Sequence, residues 1–286
     1  MIVITGASGQ LGRLVIDELL KFLPASEVAA AVRNPDSVAD LAEQGVGVRQ
    51  ADYNQPATLE AAFAGADKVL LISSSEVGQR APQHANAIEA AKKAGVGLLA
   101  YTSILHADTT ALPLGLEHKQ TEAKLAESGL PHVILRNGWY SENYTAGVPV
   151  ALQFGAVMGC AGDGRISSAP RADYAAAAAA ILLAGEQAGK VYELAGDDSY
   201  TLRELAAEIA VQSGKAISYE NLPEAEYRQA LVGAGLPEPI ATLLAESDTG
   251  ASKGGLYDDG KQLSALIGRP TTPIAESIKL ALASAE

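Results

Sequence analysis

The stretch VITGASGQLGRLV, Val3 to Val15, sets three glycines at strict three-residue spacing between a short apolar run and an apolar helical pattern. A strand that turns into a helix through such a loop has few folds open to it. Each glycine meets a separate demand: Gly6 permits the tight turn, Gly9 lets backbone N–H groups approach a pyrophosphate, and Gly12 allows the helix to pack closely on the sheet. Ala7 and Leu11 complete the loop, and Ser8 and Gln10 add side-chain donors. A glycine triplet alone also fits an ordinary capped turn. The strand before it, the helix after it and the βα units that follow favour a dinucleotide site.

Apolar, strand-like runs recur at MIVIT, VAAAV (Val28 to Val32), GVRQ, KVLLI, GLLAYT and HVILR, each followed by a segment with apolar residues three and four apart. The strand runs are continuous rather than alternating, as expected where both faces of a sheet are covered. Strands alternating with helices predict right-handed crossovers and an α/β, doubly wound parallel sheet, the Rossmann fold. The expected dinucleotide-binding domain is residues 1–150, with a later stretch near 171–196 returning to it. Residues 151–286 are expected to form mainly a smaller C-terminal α/β lobe that covers the substrate. There Val157 to Arg171 reads as Gly-rich and irregular, KVYELAG and ISYEN as strands, and the Pro-punctuated remainder as short helices.

A formal net charge of −13 argues against nucleic acid and anionic membrane surfaces as partners, since both call for a basic patch. The longest apolar run, YAAAAAAILLA, is shorter than the ~20 residues a bilayer requires and reads as a buried, Ala-rich helix. With a strand expected from Ile2, no signal or transit peptide is read at the start, and a cytoplasmic location is expected. The single cysteine, Cys160, reads as a small core residue, and four scattered histidines without ligand spacing predict no metal site.

The end of the second strand selects the dinucleotide. An NAD site usually ends that strand with a carboxylate for the ribose 2′-hydroxyl, whereas AAAVRNPDS places Arg33 there, which favours the 2′-phosphate of NADP(H). The competing reading is a solvated surface arginine. Asp36, after Pro35, reads as a cap for the next helix. Ser73, Ser74 and Ser75 follow the fourth strand, where small residues let the ribose and nicotinamide half lie against backbone; serines there also serve as turn formers. Beyond the sixth strand, Asn137, Gly138, Trp139, Tyr140, Ser141, Glu142 and Asn143 offer amide donors, an aromatic wall and a permissive turn.

Reduction of a ketone requires protonation of an alkoxide, for which short-chain dehydrogenases generally carry Tyr and Lys four residues apart after the fifth strand. Here the matching helix reads GLEHKQTEAKL, with no Tyr before Lys119. Glu117, His118 and Glu122 read as an exposed, charged helix face. Tyr257 and Lys261, far from the fifth strand, read as coincidence. A quinone tolerates the missing pair: hydride addition gives a phenolate, whose conjugate acid has a pKa of about 10 against the ~15.7 of water as a guide to alkoxides.

TGASGQLG, VRNP, LLISSSEVGQRAPQH, LRNGWYSENY, KVYELAG, GASKGGL and LIGRPTTPIAES together resemble the bacterial NADPH:quinone oxidoreductase type 2 family of NmrA-like atypical short-chain dehydrogenases. The resemblance runs nearly the whole chain. It implies flavin-free reduction of quinones by NADPH, with cofactor contacts at Gly6 to Leu11, Arg33, Ser73 to Ser75 and Asn137 to Asn143. Ser8 stands where many relatives have Thr. The alternatives are an NmrA-like redox sensor that binds the dinucleotide without turnover, and a reductase of other conjugated acceptors such as triphenylmethane dyes.

Overall fold

The computed structural model describes residues 1–284, which form strands β1 (Ile2–Thr5), β2 (Val28–Val32), β3 (Gly47–Gln50), β4 (Lys68–Leu71), β5 (Leu98–Ile104), β6 (His132–Asn137), β7 (Ala156–Gly159), β8 (Val191–Leu194) and β9 (Ser218–Asn221). The helices are α1 (Gln10–Leu20), α2 (Ala39–Glu43), α3 (Pro56–Phe63), α4 (Arg80–Lys93), α5 (Gly115–Ser128), α6 (Glu142–Thr145), α7 (Val148–Phe154), α8 (Arg171–Leu183), α9 (Leu202–Ser213), α10 (Glu224–Gly233), α11 (Glu238–Ser252), α12 (Gln262–Ile267) and α13 (Ile274–Ala283). The chain divides into two compact units. One comprises Met1–Ala107, Leu116–Asn137 and Arg171–Tyr192; the other comprises Asp108–Gly115, Gly138–Pro170 and the chain from Glu193 on.

The first unit is built on a 7-stranded sheet of order β3-β2-β1-β4-β5-β6-β8, with parallel pairing from β3 through β6. This is the doubly wound order, in which chain direction across the sheet reverses between β1 and β4. Every residue of β1, β2 and β5 is buried, which accounts for their unbroken apolar sequence. One sheet face carries a core of Val3, Ala29, Ala31, Val69, Leu71, Leu99 and Tyr101 packed with Leu59, Phe63, Ile88 and Leu125 from α3, α4 and α5. Helix α1 packs against β1, β2 and the Ala-rich α8, whose small side chains permit close approach. The Lys68 ammonium reaches the Leu182 and Ala184 carbonyls at 2.5 and 2.9 Å, satisfying acceptors at the α8 C-terminus.

In the second unit, β7 and β9 form a parallel two-stranded sheet with Ala156 opposite Ser218. β7 falls where the sequence predicts irregular chain: its four residues follow Gly155, end in Gly159 and show no alternation of their own. The Pro-rich tail holds α11, 15 residues long and not short, because Pro237 and Pro239 sit at its start, where a missing N–H is harmless. Thr201 and Glu204 close a capping box on α9. Burial pushes the Asp248 carboxyl up to about 6, although it accepts the Cys160 N–H at 3.0 Å. The Cys160 thiol, raised to about 11 mainly by burial, donates to the Ala245 carbonyl; it is a half-buried structural group.

Candidate functional site

Within the first unit the Gly6 loop follows β1, Arg33 follows β2, Ser73 to Ser75 follow β4 and Asn137 closes β6. All therefore lie at carboxyl ends of strands in one parallel sheet, and the glycine loop lies at the topological switch point, where such sheets bind ligands.

The loop has the shape of an anion cradle. Gly6 adopts φ +58°, and a Cβ on Gly12 would meet the Gly6 carbonyl oxygen at 2.6 Å and Ala7 Cα at 2.7 Å, so α1 packs directly on the turn. Gly9 is the N-cap, and its own N–H donates to the Gly6 carbonyl at 2.9 Å rather than outward. The outward donors are those of the first helical turn, at Gln10, Leu11 and Gly12, which have no intrahelical acceptor. That turn carries no acidic side chain and no side-chain cap. A diphosphate fits both the donors and the helix dipole.

The β1 and β4 ends are tied by groups absent from the sequence expectations. Thr5 Oγ1 donates to the Leu70 carbonyl at 3.0 Å and accepts the Ile72 N–H at 3.0 Å, while the Tyr53 hydroxyl donates to the Ile72 carbonyl at 2.7 Å. The serine segment is held from below. His84 Nε2 accepts the Ser74 N–H at 3.0 Å and Arg80 Nε donates to the Ser74 carbonyl at 2.6 Å, so α4 grips this residue through the two peptide groups that flank its Cα. With Nε2 accepting, the His84 proton sits on Nδ1 and is shared with Thr121 Oγ1 at 2.8 Å. Ser74 Oγ accepts the Glu76 N–H at 3.1 Å, so this hydroxyl is a turn former. Ser73 N–H donates to Thr102 Oγ1, and Ser75 is exposed.

The network continues into α5, and there the structure corrects the sequence reading of an exposed charged face. His118 is buried; its Nδ1 lies 2.8 Å from the Tyr101 hydroxyl and its Nε2 lies 3.3 Å from Arg80 Nη1. Burial first, and then the Arg80 charge, depress both His84 and His118 to about 3, so both are neutral at physiological pH. Glu117 accepts the Gly78 N–H, and Glu122 pairs with Arg136 at 2.7 Å while accepting from Ser103 Oγ. These groups are committed to structure.

His84→Ala should therefore lower the melting temperature, because the Ser74 amide loses its acceptor at a cost of about 1–3 kcal/mol. It should also raise KM for the dinucleotide more than it lowers kcat. His84→Gln, whose Oε1 can accept the same N–H, should recover much of both. An alanine variant with unchanged melting and KM removes the grip.

At the β2 end, Asn34 caps the next turn, its Oδ1 accepting the Asp36 N–H at 3.2 Å; Asp36 sits inside the turn and is not its cap. Asn34 occupies the cap because Pro35 takes the first helical position. Arg33 Nη1 is 3.0 Å from Glu76 Oε1, a partner contributed by the segment after β4. Asn137 Oδ1 is buried with no hydrogen-bond partner among the described residues. Gly138 to Asn143 belong to the second unit. There Gly138 N–H donates to the Leu194 carbonyl, Ser141 N–H to the Ala169 carbonyl, and Ser141 Oγ lies 2.9 Å from Ser168 Oγ. Trp139 is buried, Tyr140 bridges to Ala169, and Glu142 opens α6, so the expected turn ends in a helix.

The family described as NAD(P)H-binding matches residues 6–184, which span the glycine loop, the strand ends and α8. The chain is 60% identical over 278 residues to quinone oxidoreductase 2 of Escherichia coli strain K12, covering 97% of each. The chain belongs to this NAD(P)H-binding family. The crystal structure of the Escherichia coli NADPH-dependent quinone oxidoreductase complexed with NADPH matches with a TM-score of 0.97 at 59% identity, covering 99% of this chain and 100% of that one. Citrobacter sp. triphenylmethane reductase complexed with NADP(H) matches with a TM-score of 0.95 at 39% identity, covering 98% and 100%. No helix among the described residues is long and apolar enough to cross a membrane.

Proposed function

We propose that the protein is an oxidoreductase that reduces quinones with NADPH and without a flavin. The reading is carried by the anion cradle at the switch point of a chain 60% identical, over nearly its full length, to a quinone oxidoreductase. Bound NADPH supplies a hydride, so that quinone, NADPH and one proton give hydroquinone and NADP⁺. The first turn of α1 holds the diphosphate, Arg33 meets the 2′-phosphate, and Ser73 to Ser75 support the ribose and nicotinamide half. The buried Asn137 Oδ1 offers an acceptor to a carboxamide. With a phenolate as the developing product, His118 and the α5 carboxylates are not required as acids. As part of the same proposal, the protein works in the cytoplasm on small quinones and not on nucleic acid.

A second acceptor class, triphenylmethane dyes, is favoured by the likeness to the dye reductase. Purified protein should be colourless and should consume NADPH, followed by its absorbance, when given a small quinone. Yellow protein carrying FMN or FAD, or no turnover across a quinone panel, overturns the proposal. Turnover with dyes alone selects the second acceptor class.

A further inference from the structure

We infer that Glu76 opposes Arg33 in choosing the dinucleotide: its carboxylate holds Arg33, repels a 2′-phosphate and accepts a ribose 2′-hydroxyl, so the site admits NADH beside NADPH. The inference rests on the reading of the β2 end as the edge that meets the adenosine ribose.

Sites for NAD usually carry their ribose carboxylate on the second strand. Here that strand is followed directly by Arg33, and the carboxylate arrives from the segment after β4 to lie 3.0 Å from Arg33 Nη1. It is held at both oxygens. Oε1 accepts from Arg33, Oε2 accepts from Nε2 of the buried Gln83 at 2.7 Å, and the Glu76 N–H is bound to Ser74 Oγ at 3.1 Å. Gln83 is itself steadied by Asn54 Oδ1 at 3.2 Å. Glu76 is thus a fixed charge at the strand edge rather than a side chain free to swing clear.

The two side chains are 69% and 40% exposed, which leaves the pair open to a ligand from solvent. An exposed ion pair is weak, so a phosphate oxygen can share or displace Glu76 at the guanidinium, which has further N–H donors besides those on Nη1. A fixed carboxylate beside a dianionic phosphate still costs affinity. The 2′-hydroxyl of NADH has the opposite relation, donating to Glu76 and gaining little from Arg33.

Glu76→Gln keeps the size and the acceptor for Gln83 while removing the charge. By calorimetric titration at low salt it should tighten NADPH about three- to tenfold, and the gain should shrink at high salt. It should weaken NADH about two- to fivefold, a neutral amide replacing a charged acceptor. An unchanged ratio of the two dissociation constants, or a parallel shift of both, overturns the role of Glu76. Arg33→Ala in the same titrations separates the two levels. If it weakens both dinucleotides alike, the placement of Arg33 fails and the inference falls with it. If it weakens NADPH alone while Glu76→Gln leaves the ratio unchanged, only the inference about Glu76 is lost.

Discussion

Gly12→Ala is expected to lose both stability and NADPH affinity, more severely than a substitution at either other glycine position that leaves the turn intact. The added Cβ would stand 2.6 Å from the Gly6 carbonyl oxygen and 2.7 Å from Ala7 Cα, both backbone atoms that cannot rotate aside. Relief requires α1 to move off the turn. Forcing atoms into a packed region typically costs about 1–3 kcal/mol, and here the displaced atoms are those that present the first-turn N–H groups. A shift near 1 Å in such a donor array can cost roughly a hundredfold, so NADPH affinity should fall by one to two powers of ten. Gly9→Ala provides the contrast. Its backbone, φ −79°, suits any residue, and its Cβ would approach the Gly6 oxygen only to 3.2 Å. The milder effect should appear in both thermal melts and calorimetry. A Gly12→Ala protein with wild-type melting and NADPH binding contradicts the close packing of α1 on the turn.

Arg33→Ala should weaken NADPH by about tenfold to a hundredfold, the equivalent of one charge-assisted hydrogen bond of about 1.5–3 kcal/mol, and leave NADH nearly unchanged. The ion pair with Glu76 adds a condition, since the same substitution exposes an uncompensated carboxylate to the 2′-phosphate. The loss should therefore be deeper at low ionic strength. Arg33→Asp should go further, adding repulsion and supplying a second acceptor for a ribose 2′-hydroxyl, so that the preference turns toward NADH. Dissociation constants for both dinucleotides with wild type and the two variants decide the matter. Parallel losses for NADPH and NADH assign Arg33 to the diphosphate or to the fold.

The sequence by itself determined the alternation of strands and helices, the place of the glycine loop and the identity of the residue that follows β2, because each is written within a few neighbouring residues. A buried parallel strand must be apolar throughout, and a turn that passes through φ +58° at Gly6 favours glycine. Three features have no such local signature. β7 reads as irregular chain, since a four-residue strand that follows one glycine and ends in another is recognisable only by the ladder it forms with β9. His118 and Thr121 share the inward face of α5 with Leu125, yet Glu117, Lys119, Glu122 and Lys124 between them give the helix the charge spacing of a solvated face. Periodicity marks an inward face only when that face is apolar, and here it is lined with hydrogen-bonding groups. The pairing of Arg33 with Glu76 joins segments far apart in sequence that meet only once the sheet has formed. Tertiary structure decided these because strand order, not sequence distance, sets the end of β2 and the segment after β4 on either side of β1, at the same carboxyl end of the sheet.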